Sequence, residues 1–106
     1  MLKKNGYSVV KAENGEEGVE AAKKELPSLV LMDVVMPGLN GFQATRLLTK
    51  AKETAHIPVI IVTTKDQPTD KLWGKRQGAK GYLVKPVDDK DLIDAIKQVM
   101  NGATLI

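Results

Sequence analysis

The sequence predicts an α/β fold: a parallel sheet, of four strands, with helices on both faces. Two observations carry this. First, the apolar runs 29–33 and 59–62, each bounded by proline or other turn formers, read as strands buried on both faces. Such strands belong to parallel sheets covered by helices. Second, the segments between the strands carry helical apolar spacing, so strand and helix patterns alternate along the chain. At 106 residues the whole of 1–106 is expected to be one domain.

Taken in order, residues 1–6 read as the last turn of a helix ending at Gly6, a usual position for a C-terminal glycine. Ser8–Ala12 is a short strand. Asn14 followed by Glu17 matches a capping pattern for a helix over 14–25, with a sparse stripe of Val19, Ala22 and Leu26. Strand 29–33 follows, ending in Asp33. After the Pro37-Gly38 turn, Asn40 is placed to cap a helix from Gly41 to about Glu53, striped by Phe42, Thr45, Leu47, Leu48 and Ala51. Pro58 opens the strand Val59–Val62, which runs into Thr63-Thr64. Pro68 sits in the tolerated first turn of a helix that carries Leu72 and Trp73 and ends near Gly78. Trp73 is expected to pack between this helix and the sheet. Tyr82–Val84 is the last strand, running into Lys85-Pro86. Asp88 then caps a final helix with the face Leu92, Ile93, Ile96, Val99 and Met100. The apolar tail Ala103–Ile106 is suited to covering exposed surface.

Composition narrows the function classes. An apolar share of 42% and a charged share of 27% are those of an ordinary globular protein. No stretch approaches the roughly 20 apolar residues of a membrane span, and the chain turns polar at Lys3-Lys4, unlike a signal peptide. With zero cysteines there is no thiol or disulfide chemistry, which fits a cytoplasmic location. The net charge of +3 is mild, its lysines are scattered among carboxylates, and no nucleic-acid reading motif accompanies it.

The chemistry is expected at the carboxyl ends of the strands, where open α/β sheets bind ligands. Three polar residues follow three successive apolar strands: Asp33, Thr63 and Lys85. Singly, each is ordinary. An aspartate after a strand is commonly a turn former, a strand-end threonine is commonly structural, and a lysine before proline is commonly solvated. Jointly, in a parallel sheet, they converge on one edge. There Asp33 can attack phosphorus to form an acyl phosphate, and Lys85 can neutralise phosphoryl oxygens as a point charge. Thr63 can donate its hydroxyl to one of those oxygens, whose charge such a site must stabilise.

These elements resemble the receiver domains of two-component response regulators, the CheY-like proteins. The resemblance runs from residue 1 to about 102. It rests on Leu31-Met32-Asp33 with Met36-Pro37-Gly38 and Gly41, on Val62-Thr63, on Gly78-Ala79, and on Tyr82 with Lys85-Pro86. The intervals of 30 and 52 residues from Asp33 to Thr63 and Lys85 match the family's spacing. The resemblance implies a doubly wound, flavodoxin-like sheet. It implies that Asp33 is phosphorylated by a histidine kinase with help from Mg²⁺ held by Asp33 and the backbone carbonyl of Val35. Thr63 and Tyr82 would be the switch pair, Lys85 the phosphate contact, and the 68–84 face the surface met by a downstream protein. A cis peptide at Lys85-Pro86 is implied too. More narrowly, segments 40–46 and 63–78, above all Trp73-Gly74-Lys75-Arg76, are similar to the single-domain receivers of type IV pilus twitching-motility systems, whose kinases are chemotaxis-like.

The chain departs from the family at its start. A receiver opens with one more strand, ending in an acidic pair, and a full first helix; here only that helix's last turn, Met1–Gly6, has a counterpart. The acidic pair supplies metal ligands, so Mg²⁺ binding is expected to be weak or lost, since this ion favours octahedral oxygen coordination. The absent strand is the central one, and its loss leaves the backbone of 8–12 and 29–33 in need of partners. Three outcomes stand open: the two strands pair directly, another chain supplies the pairing through dimerisation or strand exchange, or the fold is weak.

Rival functions follow from the same residues. A phosphohydrolase of the haloacid dehalogenase type would need a second aspartate two residues after the nucleophile, where Val35 stands, so no enzymatic turnover is expected. A receiver surface that binds partners without phosphorylation is the alternative that the missing acidic pair favours. In either case output would be protein contact, with Lys71, Lys75 and Tyr82 on the contact face.

Overall fold

The computed structural model describes residues 8–12, 15–33, 41–64 and 67–106. They form β1 (Val9–Ala12), α1 (Gly15–Glu25), β2 (Leu29–Met32), α2 (Gly41–Lys50), β3 (Val59–Thr63), α3 (Pro68–Arg76), β4 (Gly81–Val84) and α4 (Asp89–Met100). The expected capping residues Asn14 and Asn40, the turn 36–38, Val35 and residues 1–6 lie outside the described residues.

All four strands are parallel and lie in the order β1-β2-β3-β4. The expected class is therefore the observed one. Of the three outcomes for the unpartnered strands, the first is realised: Val9 pairs with Leu29 and Ala12 with Met32, so β1 and β2 join directly within one chain. That pairing is made within one chain. The described strands follow one another in chain order, as expected of a flavodoxin-like sheet without its first strand.

Alternation sends successive side chains to opposite faces. Val30, Met32 and Val59 pack with Ala22 of α1 and with Ala44 and Leu48 of α2. Further along the same face Ile61 and Tyr82 meet Phe42 of α2, and Gly74 of α3 lies against both. The other face carries Leu29, Leu31 and Ile60 against Ile96 and Val99 of α4. Three helices thus cover one face and α4 the other. The tail runs beside β4: the Leu105 N–H donates to the Lys80 carbonyl at 2.7 Å. Leu105 then packs on the α4 side and Ile106 on the opposite side, straddling the edge.

Several local expectations change. Leu26 does not join the buried stripe of α1. It follows the helix at φ 46° and is 54% exposed, a left-handed turn-off normally given to glycine. Thr45 and Leu48 of the expected α2 stripe are buried, but Leu47 is 50% exposed and Ala44 is buried in its stead. Helix α2 stops at Lys50, and the following turn is closed by the Thr54 hydroxyl donating to the Leu48 carbonyl at 2.7 Å. Asp88 does occupy the N-cap position of α4, but its side chain makes no capping bond; its carbonyl accepts the Leu92 N–H instead. Trp73 is 52% exposed and not packed on the sheet. Helix α3 meets the sheet through Gly74, where an added Cβ would lie 3.0 Å from Ile61 and 3.1 Å from Tyr82. That approach turns Trp73 aside.

Candidate functional site

The site forms where the strands end. β2 ends at Met32, and Asp33 is the first residue past it; β4 ends at Val84, and Lys85 is the first residue past it. Because β2, β3 and β4 are parallel and in register, with Met32 opposite Ile61 and Thr63 opposite Val84, residues far apart in sequence emerge side by side. The Lys85 ammonium donates to Asp33 Oδ2 at 2.9 Å, across 52 residues of sequence. The side chains are 46% and 25% exposed. A pair this open to water adds little stability, about 0–1 kcal/mol. Its consequence is positional, since it holds a cation beside a carboxylate at the sheet edge.

Thr63 is fully buried at the end of β3, and its carbonyl accepts the Lys85 N–H at 2.8 Å. This bond extends the β3–β4 ladder by one step and sets the backbone from which the Lys85 side chain reaches Asp33. The Lys85-Pro86 peptide is cis, as the resemblance implied. Tyr82, 7% exposed, is paired with Ile61 and lies under Gly74 of α3. The four expected site residues therefore divide. Asp33 and Lys85 meet directly, Thr63 joins them through the backbone of Lys85, and Tyr82 sits two residues before the end of β4 on the face covered by α3.

Asp33 and Lys85 line a cleft of about 520 Å³ with Leu31, Val62 and Leu92. Two charged residues that sequence reasoning missed line it too, Lys11 of β1 and Asp89 in the first turn of α4. Each left a signal. Lys11 is the one charge in an otherwise apolar strand, and Asp89 lies four residues after Lys85. Their approach to Asp33 depends on β1 pairing directly with β2 and on α4 crossing the sheet.

The described residues do not compose a Mg²⁺ site. No group of three or more acidic or histidine side chains comes together among them. The Oδ2 of Asp33 is occupied by an ammonium, whereas Mg²⁺ asks for several oxygens in octahedral array. Val35, whose carbonyl was the other expected ligand, lies outside the described residues.

Residues 1–97 match the family model described as "Response regulator receiver domain". The chain belongs to the response regulator receiver family. It is 66% identical over 102 residues to Protein PilH of Pseudomonas aeruginosa, covering 96% of this chain and 84% of that protein. Identity to the phosphate regulon regulator PhoB of Klebsiella pneumoniae is 35% over 94% of this chain, but the chain spans only 44% of that protein. Among solved structures, a CheY-like receiver domain from Methanospirillum hungatei aligns with TM-score 0.82 and 27% identity over 94% of this chain and 78% of its own. The receiver domain of a Pseudomonas aeruginosa sensor histidine kinase, solved with a magnesium ion coordinated in its active site cleft, aligns with TM-score 0.80 and 26% identity over 95% of this chain and 83% of its own. A receiver domain is a module of two-component signalling.

Proposed function

We propose that this chain is a phosphorylation switch in which Asp33 accepts a phosphoryl group from a histidine kinase. The observation that carries this reading is the 2.9 Å contact between Lys85 and Asp33, made at the carboxyl ends of two buried parallel strands. In the transfer, a carboxylate oxygen of Asp33 attacks phosphorus and the phosphorus–nitrogen bond of the donor phosphohistidine breaks. The electron pair returns to the imidazole. The Lys85 ammonium is already within reach of the oxygens that carry the developing charge. Thr63 contributes its hydroxyl to the new phosphoryl group. Tyr82, packed under Gly74 of α3, follows that change and alters the face made by α3 and β4. New charge at one end of a packed element is the kind of bias that moves a bistable surface.

Output is then protein contact through residues 68–84, with no nucleic acid or membrane involved. The similarity to PilH supports a place in a type IV pilus twitching system, downstream of a chemotaxis-like kinase in the cytoplasm. Mg²⁺, which the related kinase receiver coordinates in its cleft, would neutralise phosphoryl charge here as well. Asp33 and the Val35 carbonyl would be its ligands, and further oxygens would have to join them.

A second reading is favoured by one observation: the described residues bring no cluster of three metal-ligating groups to Asp33. In that reading the chain binds its partners without being phosphorylated. Intact-mass spectrometry after incubation with acetyl phosphate, with and without Mg²⁺, separates the two. Under the phospho-switch reading a single phosphoryl adduct forms with Mg²⁺ and is absent from Asp33→Asn. Folded protein that takes up no adduct under either condition would establish the phosphorylation-independent module.

A further inference from the structure

On the face of the molecule away from the strand-end cleft, α1 and α2 pack side by side and leave a groove between them. Its floor is apolar, from Val19, Leu47 and Ala51, and its rim carries Lys23, Arg46 and Lys50. Leu47 is half exposed there, with 50% of its surface open. Among the described residues no carboxylate lines the groove, and none of the three cations has an ion-pair partner. The helix dipole accounts for Lys23 and Lys50, which stand in the last turns of their helices. It does not account for Arg46, which lies four residues before Lys50, a spacing at which like charges oppose one another along a helix. Nor does it account for an exposed leucine between them.

We infer that the α1–α2 groove is a docking site for an acidic amphipathic helix of a protein partner. Such a helix would lay an apolar ridge along Val19 and Leu47 while its aspartates and glutamates meet Lys23, Arg46 and Lys50. A groove between helices takes a ridge better than it takes a flat lipid surface. Among the described residues the groove also has no tryptophan or tyrosine of the kind that anchors proteins at bilayer interfaces. The inference is independent of Asp33 chemistry, so it stands or falls apart from the phosphoacceptor reading.

The test is an amide-resolved NMR titration of the full chain with a synthetic helical peptide bearing leucines at i, i+3, i+4 and i+7 flanked by glutamates. The same peptide with lysines in place of glutamates, and vesicles containing anionic lipid, serve as comparisons. Saturable shifts confined to residues 19–23 and 43–51 are expected with the glutamate peptide and not with the lysine peptide. Affinity should fall at least about tenfold in Arg46→Glu/Lys50→Glu, where two rim attractions become repulsions. Leu47→Ala, a half-exposed position whose loss leaves the fold intact, should weaken binding while circular dichroism stays unchanged. Absence of saturable shifts, equal binding of both peptides, shifts centred on α3, groove shifts that track protein concentration alone, or tighter binding to the vesicles would each overturn the proposal.

Discussion

Helices α3 and α4 flank the same edge of the sheet from opposite faces, yet they are held in different ways. α4 buries Ala95, Ile96 and Val99, a stripe at helical spacing that sits on Leu29, Leu31 and Ile60. α3 buries only Gly74. Its two large apolar residues, Leu72 and Trp73, are 48% and 52% exposed, and the Arg76 guanidinium lies 5.9 Å above the Trp73 ring. Rotation of about 100° per residue explains the difference. With Gly74 turned to the sheet, Trp73 and Leu72 are carried round to the side and the back. A helix with one small buried residue has little apolar burial to lose when it moves, and low local burial marks the parts of a protein that open first. The helix that covers Tyr82 is therefore the more easily displaced, and α4 is the fixed support behind the strands.

Three substitutions break or sharpen this contrast. The largest effect is expected from Ile96→Ala, which empties a fully buried position under α4 and should lower unfolding stability by about 2–5 kcal/mol in denaturant titration. Gly74→Val comes next. Its side chain meets Ile61 and Tyr82 at distances that already allow a Cβ little room, so α3 must lift, with a loss of about 1–3 kcal/mol. In that variant hydrogen exchange should quicken through α3 while α4 keeps its protection. Trp73→Ala should change stability least, by less than about 1 kcal/mol, because half of the ring is in water. A loss as large as that of Ile96→Ala would show that Trp73 packs on the sheet after all and would abolish the contrast.

Much of the site was legible before the fold. Asp33 and Lys85 could be picked out because each follows a short apolar run, and the parallel sheet that such runs imply brings their ends together. Their 2.9 Å contact follows from that geometry. Lys11 and Asp89 could not be picked out in this way, because neither follows a buried apolar run. They reach the cleft through non-local packing, β1 against β2 and α4 across the sheet. The exposure of Trp73 was hidden for a related reason. An aromatic residue in a helix is normally drawn inward by the area it can bury, and only the competition among residues 72, 73 and 74 for one contact line shows that glycine won it.

The amino-acid pattern determined the strands, the helices and the residues at the strand ends, since these depend on periodicities of 2 and 3.6 and on turn formers, all read over a few neighbouring residues. Tertiary structure decided which strands pair, with Val9 seated opposite Leu29, and that the tail would straddle the β4 edge with Leu105 on one side and Ile106 on the other. Strand partners and edges are settled by which backbone groups and apolar faces remain to be covered once every other element has been placed. That is a property of the assembled sheet, beyond the reach of any single segment.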